Sequence, residues 1–311
     1  MNRRNVSLAH YLFARLRQLG VGSVHGVPGD YTLRALDELK PAGFRWIGNC
    51  NELNAAYAAD GYARIKKIGA VFTTYGVGEL SALNAIAGSC AEQIPVVSSV
   101  CEPSRAAYQK GLPVHRSLGN GRDLRGFADI YKHFTVAQAS LFKSVNVPAQ
   151  IDETLTACVK ESRPGYVEIP CGMVGAQLPS GSLDTPLDLT LANPSDLENN
   201  VAKSILERMR NAKQPYILVD GLVGPDDVKD EVNQFARLIG FPVFSLTHEG
   251  DIIDGTLEDY HGVHVGPYGS LGFRSYFEKS DLALLFGPLV TWSASPQKGH
   301  HDFISRKGDP D

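Results

Sequence analysis

Residues 70–101, AVFTTYGVGELSALNAIAGSCAEQIPVVSSVC, read as strand, turn, helix and strand in succession. Ala70–Tyr75 is rich in β-branched and aromatic residues, Gly76-Val77-Gly78 interrupts it, and Glu79–Gln93 is dominated by helix formers. Ile94–Cys101 is extended again. That succession is the repeating unit of a parallel α/β sheet. The pattern continues towards the amino terminus. Leu8, Leu12, Leu16 and Leu19 recur at helical spacing, Ser23–Val27 is a short strand, and Pro28-Gly29-Asp30 is a turn. Leu33–Lys40 reads as a helix, Phe44–Gly48 as a strand and Glu52–Ile65 as an Ala-rich helix. Tyr166–Pro170 adds another strand.

Residues 177–195 (QLPSGSLDTPLDLTLANPS) hold three prolines and little periodicity, which predicts a surface linker. A second α/β series follows, with helices over Asp196–Asn211, Asp226–Ile239 and near Phe273–Lys279. Its strands read as Tyr216–Asp220, Pro242–Thr247, Tyr260–Val265 and Leu282–Phe286. The expected organisation is two doubly wound parallel-sheet α/β domains, 1–176 and 196–311, joined by 177–195.

The 311 residues are 43% hydrophobic and 21% charged, and 30 basic against 34 acidic residues give a net charge of −4. Without a basic run the chain offers no nucleic-acid or membrane-surface footprint. Five scattered cysteines without a C-x-x-C pair suit reduced thiols in a cytoplasmic protein better than a disulfide frame or zinc site. The first 29 residues hold Arg3, Arg4, Arg15 and Arg17 and no acid, which loosely fits a transit peptide. The leucine spacing running into a strand fits the first helix of a domain better.

Several residues are placed for chemistry. Gly76-Val77-Gly78-Glu79-Leu80-Ser81 is nearly the G-x-G-x-x-G of a dinucleotide site, with Glu102 where a ribose-binding acid would stand. It is equally a plain strand-to-helix turn. Asp30 and Glu52 each follow a strand, where parallel sheets bind ligands. Either can also serve simply as a helix-capping acid. His115 lies in a turn-rich stretch and could transfer protons. His261 and His264 fall on opposite faces of a strand and make poor joint ligands.

At these residues the chain resembles a family. His25 to Asp30 (HGVPGD), Asn51 to Arg64 (NELNAAYAADGYAR), Thr73 to Asn84 (TTYGVGELSALN) and His115 to Gly121 (HRSLGNG) are similar to thiamine-diphosphate-dependent 2-oxo acid decarboxylases of the pyruvate decarboxylase type. Looser similarity runs through the second series. The resemblance displaces the dinucleotide reading, since Gly76-Val77-Gly78 belongs to this family's turn. It implies an amino-terminal pyrimidine-binding domain and a middle domain, with thiamine diphosphate and Mg2+ held largely by a carboxyl-terminal domain. It further implies a homodimer or higher homo-oligomer.

The family's glutamate falls on Glu52, which would hydrogen-bond the cofactor's aminopyrimidine, favour its imino tautomer and so promote loss of the C2 proton. Cofactor contacts are implied at Pro28, Gly29 and Val77, with no metal ligand in this chain. Asp30 and His115 match the family's acid/base pair, while Asp30, Arg116 and Arg163 are implied as substrate-binding. The implied reaction is non-oxidative cleavage of a 2-oxo acid to an aldehyde and carbon dioxide. Pyruvate is the first substrate, and the aromatic indolepyruvate or phenylpyruvate the next.

Departures from the family pattern define the alternative. Arg116 replaces a second loop histidine, and arginine can hold a carboxylate but cannot shuttle a proton. No cysteine stands near Leu222 and Val223, where substrate-activated members carry one, and Val159 occupies a position expected to be tyrosine. The family's diphosphate motif is missing, and Gly308-Asp309-Pro310-Asp311 does not replace it. The second domain is therefore expected to be incomplete, with an unpaired sheet edge. The alternative is a truncated, non-catalytic paralogue or interaction protein.

Overall fold

The computed structural model describes residues 5–114, 124–142, 145–190, 194–223, 228–247, 252–265 and 272–288. The chain divides into two compact units, Met1–Leu191 and Ala192–Asp311. The first contains β1 (Asn5–Ser7), α1 (Leu8–Gln18), β2 (Ser23–Gly26), α2 (Leu33–Leu36), β3 (Arg45–Gly48), α3 (Glu52–Lys66), β4 (Gly69–Thr74) and α4 (Val77–Ala91). It continues with β5 (Val96–Glu102), α5 (Arg105–Lys110), α6 (Gly126–Tyr131), β6 (Ala137–Ser140), α7 (Val147–Lys160), β7 (Gly165–Pro170) and β8 (Gln177–Pro179).

Six parallel strands form the main sheet in the order β3-β2-β4-β5-β7-β6. Alternate residues enter opposite cores, as the two-residue strand period demands. On β5, Val97 and Cys101 join Leu12, Leu16, Ile151 and Leu155 of α1 and α7. Val96 and Val100 instead join Ala55, Ala59, Ala82 and Ala85 of α3 and α4. Both faces are thus covered, and the sheet is doubly wound as expected. Side-chain caps set the helix starts: Ser7 Oγ accepts from His10 N–H at 3.1 Å, and Asn51 Oδ1 from Leu53 N–H at 2.8 Å.

Composition makes 177–195 a linker, but residues 177–190 are fastened to the first unit. β8 pairs antiparallel with β1, Leu178 opposite Val6, and a 3-10 turn spans Gly181–Asp184. The fastening is Arg15, which is 2% exposed. Its guanidinium holds Asp152 on α7 at 2.7 and 2.8 Å and donates to the carbonyls of Ser182 and Thr185, each at 2.7 Å. The segment is held by these carbonyls and by Leu178, Leu183 and Leu187, which pack on the first unit's core without a regular apolar period.

The second unit contains α8 (Ser195–Asn211), β9 (Pro215–Val219), α9 (Lys229–Ile239), β10 (Val243–Ser245), β11 (Tyr260–Val263), α10 (Arg274–Lys279) and β12 (Leu282–Phe286). Its parallel sheet runs β11-β10-β9-β12. Ile217 and Val219 face one core and Tyr216 and Leu218 the other. Asn233 on α9 pins the chain before β11, donating to Ile252 O at 2.7 Å and accepting from Asp254 N–H at 2.8 Å. Leu222 and Val223 lie in a 3-10 turn after β9. Among the described residues β12 pairs only with β9, and no helix is long and apolar enough to cross a membrane.

Removing Asp152 strands a buried guanidinium. Asp152→Ala is therefore expected to cost about 3–5 kcal/mol in urea unfolding and to open 177–190 to protease. A loss of under about 1 kcal/mol, the range of a surface pair, would mean that Arg15 does not fasten the segment.

Candidate functional site

Strand order in the first unit reverses direction between β2 and β4: the chain adds β3 outside β2, then β5 and β7 beyond β4. Ligands of open parallel sheets bind at the carboxyl ends of the strands flanking such a reversal. Here those ends carry Val27-Pro28-Gly29-Asp30 after β2 and Thr74-Tyr75-Gly76-Val77 after β4, while β3 delivers Glu52.

These groups converge on Thr74. A Cβ on Gly29 would stand 2.6 Å from Thr74 Cβ, so the β2 turn lies directly on that side chain and admits only glycine. A Cβ on Gly78 would stand 3.1 Å from both Thr74 Cγ2 and Glu52 Oε1. The Glu52 carboxylate therefore lies over the first turn of α4, across Thr74 from Gly29. The β2 turn is closed on itself, with Gly29 N–H donating to Thr32 Oγ1 at 2.9 Å and Thr32 Oγ1–H donating to Gly29 O at 2.8 Å. Asp30 and Pro28 are exposed, Glu52 is half-buried, and Val77 is 40% exposed. A carboxylate beside an uncovered apolar side chain suits a planar, nitrogen-bearing ring. Among the described residues no group of His, Cys, Asp and Glu could hold a metal ion.

The turn that carries Val77 and Gly78 is itself held from below. Gly76 has φ +74°, a conformation that glycine tolerates, and its N–H donates to Glu79 Oε1 at 2.6 Å. Glu79 is fully buried; Tyr166 Oη–H donates to its Oε2 at 2.7 Å and Tyr131 Oη–H to its backbone carbonyl at 2.6 Å. Burial pushes the Glu79 carboxyl up to about 7, against the opposing pull of the Gly76 N–H and Tyr166 bonds. Sequence reasoning singled out neither Thr74 nor Glu79. A glutamate three residues into a turn-capped helix was the available signal for Glu79.

Other expectations are redistributed. Glu102, the acid of the dinucleotide reading, is 1% exposed and lies 2.7 Å from Tyr108 Oη, so it faces the protein and not a ribose. Arg163 precedes β7, at the amino end of the sheet, and donates to Cys90 O at 3.3 Å. The parallel sheet thus separates it by the length of the strands from Glu52 and Asp30. His115 and Arg116 lie outside the described residues. Val114 packs against Tyr75, Leu124 and Phe127 beyond the carboxyl end of β4. All five cysteines are free thiols, with Cys50 exposed two residues before Glu52.

Comparison with known proteins places the chain in a family. The family described as thiamine pyrophosphate enzyme, N-terminal TPP binding domain, matches residues 6–119. The family described as thiamine pyrophosphate enzyme, central domain, matches residues 202–309. A pyruvate decarboxylase of Aspergillus parasiticus is 43% identical over 289 residues, covering 93% of this chain and 49% of the relative. Pyruvate decarboxylase isozyme 2 of Saccharomyces cerevisiae is 40% identical over 288 residues, 92% of this chain and 51% of the relative. The chain spans about half the length of the curated relatives it matches. With both domains matched in order on two doubly wound units, the chain belongs to the thiamine pyrophosphate enzyme family and carries its N-terminal and central domains.

Proposed function

We propose that this chain supplies the aminopyrimidine side of a thiamine diphosphate site and serves the non-oxidative decarboxylation of a 2-oxo acid to an aldehyde and carbon dioxide. The observation that carries this reading is the Glu52 carboxylate set over Gly78 beside exposed Val77 at the sheet's reversal point. When bound, the cofactor supplies stabilisation of the carbanion left by departing carbon dioxide. Glu52 accepts a hydrogen bond from a protonated ring nitrogen and holds that proton. Pro28, Gly29 and Val77 shape the apolar floor. Asp30, on its exposed turn, and His115 handle protons after carbon dioxide leaves, and Arg116 binds the substrate carboxylate. Mg2+ finds no ligand set among the described residues, and no step here is assigned to it.

Similarity to pyruvate decarboxylases makes pyruvate the first substrate, with aromatic 2-oxo acids next. Tyr57, Val77 and Leu80, exposed on α3 and α4, are the surface on which a second copy of the chain would dock. Free thiols suit a cytoplasmic setting. A second reading, a non-catalytic interaction protein, is favoured by Arg116, which cannot shuttle protons.

Calorimetric titration of thiamine diphosphate with Mg2+ into the 311-residue chain, with pyruvate turnover assayed in the same samples, separates the two. Saturable binding with aldehyde formation carries the catalytic reading. Absence of both, with a dimer in sedimentation, carries the second. In active protein Glu52→Gln is expected to slow aldehyde formation by about 10²–10⁴-fold at unchanged thermal stability. A rate within about threefold of the parent would remove Glu52 from the proton chemistry. Gly29→Ala, by forcing Thr74 aside, is expected to lose about 1–3 kcal/mol in chemical unfolding. An unchanged midpoint would mean that the β2 turn does not rest on Thr74.

A further inference from the structure

Beside the site, and independent of any reading of its chemistry, lies a group of buried acids. Glu102 ends β5, Glu168 lies on β7 and Glu79 opens α4; none is more than 1% exposed. Tyr108 Oη stands 2.7 Å from Glu102 Oε2 and 3.0 Å from the carbonyl oxygen of Leu124. A phenol has one proton and a carbonyl can only accept. Both contacts are satisfied when Glu102 carries a proton and donates it to Tyr108 Oη, which then donates to Leu124. The same count applies at Tyr166, whose single proton faces Glu79 Oε2 at 2.7 Å and Glu102 Oε1 at 3.4 Å. A second proton, on Glu79 Oε2 and donated to Tyr166 Oη, would free the Tyr166 proton for Glu102 Oε1.

The charge balance points the same way. Among the described residues facing the three acids, the cation is Arg125, which donates to Glu168 Oε2 at 2.7 Å and to Ser140 Oγ at 2.9 Å. Glu168 Oε1 is buried without a hydrogen-bond partner. The other titratable groups around them are Tyr166 of β7, Tyr108 of α5, Asp129 and Tyr131 of α6, Tyr75 beyond β4, Tyr31 of the β2 turn and Cys101. None of these adds positive charge. Among the described residues, three ionised carboxylates would therefore meet one guanidinium in a water-poor site.

We propose that Glu102 is a neutral carboxylic acid at neutral pH and that Glu79, Tyr166, Glu102 and Tyr108 form a proton-held latch. It ties α5 and the first turn of α4 to the end of the sheet and releases them as pH rises. Burial, then the charges of Glu79 and Glu168, hold the Glu102 carboxyl well above the usual range, and burial raises Glu168 despite Arg125. Each acid with a raised value binds its proton more tightly folded than unfolded. The folded chain thus holds extra protons from the ordinary value of 4.5 up to about 7 at Glu79, and further up at Glu102. The stability they contribute is complete at the acid end and is lost as pH rises through that window. Each proton at issue changes the folding constant by up to about tenfold per pH unit.

The test is infrared spectroscopy and urea unfolding on the 311-residue chain. At about pH 7 exposed carboxyls are ionised, so a carboxylic-acid C=O band reports a buried acid. The expected result is a band in the parent that persists at about pH 8, above the Glu79 value, vanishes at higher pH and is missing at about pH 8 from Glu102→Gln, whose amide can make the same donation to Tyr108. The urea midpoint should fall between about pH 5 and pH 8 in the parent, and less steeply in the variant. Amide exchange, corrected for its intrinsic pH dependence, should rise first in residues 76–80 and 105–110. A parent without the acid band, or with stability flat or rising over that range, would overturn the proposal. The parent titration decides the matter even if Glu102→Gln does not fold.

Discussion

Glu79 accepts a hydrogen bond from Gly76 across a backbone turn open to glycine, and the upper end of the first unit hangs on that contact. Strand β4 ends against it, α4 starts from it, and Val77 and Gly78 are displayed by it. Because Gly78 has no side chain, the Glu52 carboxylate can lie over the turn; because Gly29 has none, the β2 turn can press on Thr74 from the other side. The site is thus a stack of close approaches, and a displacement at any layer reaches the others. Tyr131 and Tyr166 reach Glu79 from α6 and β7, so distant parts of the chain fix a turn that looks local in sequence.

Much of this was legible beforehand because it is written in short periods. The alternation of β-rich runs with Ala- and Leu-rich helices gave the doubly wound class. Glycine punctuation at 76–78 and 28–30 marked the ends of β4 and β2. The carboxyl-end rule then picked out Asp30 and Glu52. What stayed illegible depends on partners far away. β6 (Ala137–Ser140) has no apolar or β-branched run, because it is a short edge strand whose place is set by β7. The 177–190 segment reads as loose chain because its attachment is a buried arginine whose carbonyl partners lie 167 and 170 residues away. Glu102 reads as a surface-facing ligand acid from its strand-end position, and only the tyrosines of α5 and β7 show it turned inward.

Holding a cofactor ring and moving protons fall to different residues of the proposed site. Glu52, Gly29 and Val77 sit where a cofactor ring could meet them, and their placement follows from the parallel sheet together with the turn that Glu79 holds. In the proposed reaction, proton traffic after decarboxylation would depend on Asp30 and His115, and Arg116 beside His115 is a permanent charge that cannot titrate. Retention of the cradle with loss of one proton carrier would preserve binding before it preserved turnover, since shape and proton transfer are separate contributions.

Two buried polar networks in the same unit handle charge in opposite ways. At Arg15 one guanidinium meets one carboxylate and two carbonyls, so charge and hydrogen bonds are both satisfied without a titrating proton. At Glu79, Glu102 and Glu168 one guanidinium among the described residues meets three carboxyls, and a proton makes up the difference. The first network closes the amino-terminal helix against α7 at any ordinary pH. The second lies at the carboxyl ends of β5 and β7, next to the cradle. Sensitivity to pH is therefore concentrated at the end of the sheet where a ligand would bind, while the Arg15 fastening carries no titrating proton.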